Sequence, residues 1–242
     1  MGGENCTIPF SNPNQGDLMP LLKIDDKKKP VVTLVAILAI AVSLISIFVT
    51  QCERAPKVNL KPYLAVSEVL ADETSKLLGP SGGSIVVVAL DTKKMKMPTV
   101  EAQLNAFTAA IKKKGNISIA ATESMPPEKM AEVGPEMGLP GEFFHQILAK
   151  HGDAKAIVSF LGAPTLKDDE IAKLPQTMPK IIAFASFGMG LKKLFDERVI
   201  QVAIVPNFEP NPNAAKKPST SREWFDQYYK VVTKETADKL PN

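Results

Sequence analysis

Between Ser84 and Pro206 the sequence returns five times to a short apolar run: SIVVVAL (84–90), ISIAAT (117–122), KAIVSFLG (155–162), KIIAFAS (180–186) and IQVAIVP (200–206). Most are rich in β-branched residues and bounded by glycine, proline or polar residues. SIVVVAL, short and bounded by glycine and Asp91, reads as a buried strand, and the five runs together as a sheet covered on both faces. Stretches of helical spacing lie between them. PTVEAQLNAFTAAIKKKGN puts Val100, Leu104, Phe107 and Ile111 on one stripe, with Gly115 where a left-handed C-cap belongs. GEFFHQILAKHGD turns Phe144, Ile147 and Leu148 inward and is capped by Gly152; KDDEIAKLP and GLKKLFDERV make shorter helices. Strand and helix alternating in this way predict an α/β fold, a three-layer sandwich around a mainly parallel five-stranded sheet. After a loop at 207–221, REWFDQYYKVVTKETADKLPN adds a helix and leaves room for an edge strand at Tyr229–Thr233.

Ahead of this domain, VVTLVAILAIAVSLISIFVT (31–50) is twenty residues without a charge. A helix of about 20 residues spans the roughly 30 Å hydrocarbon core of a bilayer, so one transmembrane helix is expected here. A cleaved signal would want small residues before the cut, and Thr50-Gln51-Cys52 does not supply them. Lys23 and Lys27–Lys29 precede the span, and Arg54, Lys57 and Lys61 follow it. Four against three favours a cytoplasmic N-terminus. The expected order is a disordered cytoplasmic tail (1–30), a single pass through the inner membrane (31–50), a linker with an amphipathic helix (51–83), and an α/β domain (84–242) that is periplasmic or otherwise extracytoplasmic. The only cysteines, Cys6 and Cys52, then lie on opposite sides of the membrane and cannot pair within the chain. A net charge of +3 over 242 residues gives no basis for nucleic-acid binding.

Ligands of open α/β sheets gather beyond the carboxyl ends of the strands. The candidate ligand-binding residues at those ends are Asp91, Thr92, Glu123, Ser124, Ser186 and Asn207. Asp91 with Glu123 is the one pair suited to a hard divalent cation, and it defines an alternative reading as a metal-dependent hydrolase of phosphate esters. No cofactor is expected. GPSGG (79–83) precedes a strand instead of following one, so it is not a phosphate loop. Gly188-Met189-Gly190 does follow a strand and open a helix, but Leu191-Lys192-Lys193 takes the place of a third glycine. It reads as the corner of a strand–helix unit. No G-x-S-x-G elbow is present, and the two histidines, His145 and His151, share one helix. His151 suits the negative end of that helix and His145 its solvated side. No catalytic residue is assigned, and the chain reads as a non-enzyme. Trp224, Phe225, Tyr228 and Tyr229 read as core packing, with stacking on a sugar as the alternative.

The segments VEAQLNAFTAAIKKKGNISIAATE, HGDAKAIVSFLGAP, KIIAFASFGMGLKKLFDERVIQVAIVPN and YYKVVTKETADKL resemble, in that order, one lobe of type I periplasmic binding proteins, the sugar-binding subunits of ABC importers. The resemblance covers roughly residues 84–240. Members of that family hold a solute in a cleft between two lobes and perform no chemistry. The resemblance therefore implies a membrane-anchored, non-catalytic domain that binds a small sugar-like solute, a protein partner or a second copy of itself. The family's sugar-contacting residues do not map one by one onto this sequence, and none is carried over. A structural subunit of an envelope complex is a third reading, in which the membrane span matters as much as the domain.

Overall fold

The computed structural model describes Leu34 and residues 37–43, 58–93, 96–126, 128–129, 138–185, 190–209 and 217–240. The chain divides into two compact units, Met1–Lys57 and Val58–Asn242. In the first, Leu34 and residues 37–43 are helical. Among the described residues no helix is long and apolar enough to cross a membrane. The remainder of the 31–50 run, both cysteines and Ser186 lie outside those residues.

The second unit begins with α1 (Lys61–Leu78), β1 (Gly83–Leu90), α2 (Pro98–Lys114), β2 (Ile117–Met125), β3 (Leu139–Pro140) and α3 (Gly141–His151). It continues through β4 (Ala156–Ser159), β5 (Pro164–Thr165), α4 (Asp168–Ile171), β6 (Lys180–Phe184), α5 (Leu191–Asp196) and β7 (Val202–Pro206). It ends with α6 (Ser221–Tyr228), β8 (Tyr229–Thr233) and a 3-10 turn, Lys234–Lys239. The main sheet has the order β2-β1-β4-β6-β7-β8. All neighbours are parallel except β7 and β8, which run antiparallel. β3 and β5 form a separate two-stranded ladder.

Alternation along the strands divides the core in two. Ile85, Val87, Val158, Ile182 and Ile204 face one side, against Val66 and Leu70 of α1, Phe107 and Ile111 of α2, and Phe225 of α6. Val86, Val88, Ile157, Ile181 and Ala203 face the other, against Phe144 and Ile147 of α3 and Leu194 and Phe195 of α5. Burying each such large aliphatic or aromatic side chain is worth about 1.5–3 kcal/mol. The expected three-layer, mainly parallel architecture is therefore present.

Three details differ from the sequence reading. Among the described residues the sheet has six strands, because Tyr229–Thr233 pairs with β7. β2 continues to Met125 instead of stopping at Thr122, and its register against β1 shifts between Ile85 and Val86. Third, α1 belongs to the globule: Ala65, Val66, Leu70 and Ala71 have no exposure, so the compact unit begins at Val58, ahead of the expected boundary at residue 84. The buried hydroxyls of α1 are satisfied within the helix, Ser67 donating to the Tyr63 carbonyl (3.0 Å) and Thr74 to that of Leu70 (2.7 Å).

The turn from α1 into β1 is a packing device. Asn116 donates to the carbonyls of Gly79 (3.3 Å) and Pro80 (3.1 Å), and its own carbonyl accepts from the Gly83 amide (2.9 Å). Gly82 has φ +58, and a Cβ there would lie 1.9 Å from the Asn116 carbonyl oxygen. Gly82→Ala should destabilise the domain by about 2–4 kcal/mol in urea unfolding, about 1 from the left-handed backbone and 1–3 from the forced shift. A change below about 0.5 kcal/mol would contradict this packing.

Candidate functional site

Because β2, β1, β4, β6 and β7 run parallel, their carboxyl ends share one end of the domain. From β1 the chain crosses to β2 on one side, then returns past β1 to β4 on the other. The two connections diverge between β1 and β4. In open α/β sheets such a divergence marks the crevice that receives ligands, which places the candidate crevice at the carboxyl ends of β1 and β4.

Asp91 and Thr92, both half-buried, leave β1 at this crevice. The Asp91 amide extends the ladder by donating to the Met125 carbonyl (2.8 Å). One carboxylate oxygen, Oδ1, accepts the Lys93 amide (2.9 Å), which fixes the side chain in an Asx turn. On the β4 side, the Phe160 amide donates to the Val88 carbonyl (2.8 Å) and the Phe160 ring meets Phe107 edge-on at 5.4 Å. Ser159 is buried, and its Oγ accepts the Leu161 amide (3.2 Å), leading into Gly162 at φ +102.

The sequence reading missed Gln103. It is only 6% exposed, yet its Nε2 has no hydrogen-bond partner among the described residues. It sits one turn before Phe107, about 6 Å nearer the start of α2, and α2 starts at the strands' carboxyl end. A buried amide donor without an acceptor costs on the order of 1–3 kcal/mol, so an unfilled donor near the crevice is a functional signal. A glutamine within a PTVEAQLNAF stripe gave no hint of this, since its exposure depends on the fold.

The other candidates separate. Asn207 closes the end of β7: its amide donates to the Tyr228 carbonyl (2.8 Å) and its Oδ1 accepts the Glu209 amide (3.2 Å). Glu123 and Ser124 lie within β2, not beyond it, with Ser124 exposed. Glu123 pairs in register with Val88, whereas Asp91 follows Leu90, the partner of Met125. This puts Glu123 and Asp91 about 10 Å apart along the ladder, on opposite faces of the sheet. The geometry does not assemble the pair that a metal-dependent hydrolase would need. Among the described residues no group of three or more His, Cys, Asp or Glu could hold a metal ion.

Glu123 has another partner set. Its Oε1 accepts from Lys150 Nζ and His151 Nε2, both at 2.7 Å, which ties the last turn of α3 to edge strand β2. This corrects the assignment of His151 to the helix dipole alone. The Lys150 hydrogen bond, followed by that of His151, holds the Glu123 carboxyl below its ordinary value of 4.5. His145 is half-buried, its ring 6.2 Å from that of Phe144. Gly190 is left-handed (φ 74) and precedes α5, the corner that was expected, while Gly188 and Met189 lie outside the described residues.

An open groove of roughly 600 Å³ lies at the opposite end of the sheet, lined by Leu174, Met178, Lys193, Arg198 and Gln201 among others. Its main polar groups are committed to the fold. Gln201 accepts the Ile181 amide (2.6 Å) and donates to the Arg198 carbonyl (2.9 Å); Lys193 pairs with Asp168, and Lys180 donates to the Leu77 carbonyl (2.8 Å). The crevice, with an unfilled donor nearby, is the better candidate.

No family model matches the sequence, and no curated protein matches it either. Solved structures do. AraP, an arabinose-binding protein from Geobacillus stearothermophilus, superposes with a TM-score of 0.50 at 16% identity, covering 75% of this chain and 63% of that one. A sugar-binding protein of a sugar ABC transporter from Bacillus halodurans gives 0.49 at 16% identity, covering 74% and 64%. The chain thus spans less than two thirds of the length of these matches. At such identity the likeness is one of fold, and at that level the expected resemblance to sugar-binding proteins of ABC transporters holds.

The Glu123 cluster makes a testable contribution to stability. A carboxylate whose folded pKa is depressed stabilises the fold above the ordinary value and ceases to do so as the pH falls through the depressed one. Glu123→Gln should cost about 0.5–1 kcal/mol at pH 7, the range for partly screened pairs. The wild-type advantage should fade below pH 4.5. Equal stability at neutral pH, by urea denaturation, would contradict the assignment.

Proposed function

We propose that this chain is a membrane-anchored, non-catalytic recognition domain that takes a small polyhydroxy solute at the crevice between the carboxyl ends of β1 and β4. The observation that carries the reading is the coincidence of that crevice with an unfilled buried donor nearby, Gln103 Nε2, in a domain with the fold of an arabinose-binding protein. Sugar hydroxyls both donate and accept, so they suit a site that offers one carboxylate at Asp91, one hydroxyl at Thr92 and one amide at Gln103. A binding role is supported by the likeness in fold to AraP, an arabinose-binding protein.

The anchor is supported by the character of the 31–50 run. Leu34, Ile37, Leu38, Ile40 and Val42 are between 55% and 63% exposed and cover a broad arc of the helix, so a wide apolar face is left uncovered. Ser43 folds its hydroxyl back onto the Ala39 carbonyl at 2.8 Å, the bond that removes a polar group from hydrocarbon. In this reading the N-terminus is cytoplasmic and the domain stands outside the inner membrane.

Calorimetry or thermal shift with a panel of pentoses and hexoses tests the binding. At least one should stabilise the full chain in a concentration-dependent way. Asp91→Ala should weaken that sugar about 10–100-fold, the worth of a charged hydrogen bond. Gln103→Leu should leave the melting temperature unchanged or raised while weakening the same sugar about 10-fold, because an orphaned amide replaced by an isostere relieves its desolvation cost. No response to any sugar would overturn the reading.

A further inference from the structure

Eight large hydrophobic side chains are exposed among the described residues. Five belong to the apolar run at 34–42. The other three, Val58 (57%), Phe208 (78%) and Tyr228 (43%), are in the domain: Val58 precedes α1, Phe208 follows β7 and Tyr228 ends α6. Phe208 follows Asn207, whose amide is bonded to the Tyr228 carbonyl at 2.8 Å. The Tyr228 ring stacks on Trp224 (6.2 Å between centroids, 8° between planes), and Lys61 Nζ lies 5.8 Å from the Trp224 centroid on the same α1–α6 surface. Val58 is three residues ahead of Lys61. Beneath this layer Tyr229 packs against Phe184 (5.6 Å) and Phe225 (6.0 Å), and burial raises its hydroxyl above the usual phenol range. Exposed aromatic rings with a lysine beside them and a firm aromatic floor have the composition of a membrane–water interface belt.

The chain itself indicates what covers this patch. The apolar run ends at Thr50, and the domain begins at Val58. Eight peptide units reach at most about 28 Å. The patch is at the entry end, whereas the far end of the domain lies beyond α1, whose 18 residues alone extend about 27 Å. That reach is an upper bound on how far Val58 can lie from the end of the apolar run. Local charge is nearly balanced: Lys230 is paired with Glu209 at 2.8 Å, and Arg222, which lies 5.4 Å from the Phe225 centroid, is paired with Asp226 at 2.9 Å, while Lys61 stands beside Trp224. The attraction is therefore apolar and interfacial rather than electrostatic.

We propose that this end of the domain is a lipid-docking surface: Val58, Phe208 and Tyr228 enter the headgroup–acyl boundary of a phospholipid bilayer, with Trp224 and Lys61 directly behind. The proposal rests on the membrane anchor described above. The chain's single tryptophan, Trp224, is the reporter. Full-length protein is reconstituted in phosphatidylcholine vesicles with and without brominated acyl chains, and retention is checked by an alkaline wash. Trp224 emission should be quenched at least about 2-fold more strongly in the wild type than in the Phe208→Ser/Tyr228→Ser double variant, with little change at about 0.5 M salt. Unchanged far-ultraviolet circular dichroism should accompany the variant. Retention without quenching, or equal quenching in both proteins, overturns the docking surface and leaves the anchor standing. Loss of the chain on alkaline washing overturns the anchor, and the docking surface with it. A detergent-solubilised dimer that the double variant abolishes, without quenching in vesicles, assigns the patch to a second copy and likewise overturns the proposal.

Discussion

The structure depends on the double burial of β1. Val86 and Val88 enter one core and Ile85 and Val87 the other, while both edges of the strand are hydrogen-bonded in parallel to β2 and β4. A strand so placed has no wet face and no free edge, and every apolar side chain along it must be covered by helices from two directions. That requirement forces the crossover connections to opposite sides of the sheet. It also fixes where the strands end together, which makes one end of the domain distinct from the other. The crevice between β1 and β4 follows from chain direction alone.

The crevice and the docking surface share the carboxyl end of the sheet. The crevice lies about three strand spacings from the β7–β8 edge, about 14 Å, where Phe208 and Tyr228 emerge. The Glu123–Lys150–His151 cluster acts elsewhere: it pins α3 to the outermost strand, whose other edge has no neighbour among the described residues. Its perturbed carboxyl marks a structural contact, which is why a shifted titration by itself was a poor guide to the site.

Much of this fold was legible because β1, β4, β6 and β7 are buried on both faces and so appear as uninterrupted apolar runs. β2 was cut short for the opposite reason. As an edge strand its burial alternates, and Thr122, Glu123 and Ser124 looked like the start of a loop. The alternation Ile117, Ile119, Ala121, Glu123, Met125 was present, but a carboxylate in an inward-leaning position disguised it. The partners of Glu123 are 27 and 28 residues away, so no local spacing predicts them. Gln103 was hidden in the same way: its burial is a property of α2 docked on the sheet. Trp224 and Phe225 were read as packing and are buried, whereas their helix neighbour Tyr228 is not. An aromatic stretch does not announce which ring points outward.

Amide hydrogen exchange resolved by residue tests the central constraint most directly. If β1 is flanked on both edges and covered on both faces, the amides of Ile85 to Val88 should exchange only through global unfolding, with the slowest rates in the chain and those of Ile157 and Val158 close behind, while exposed positions of β2 open more readily. Fast exchange along 85–88, at the rate of the surface loops, would contradict a central parallel strand and the placement of the crevice that follows from it.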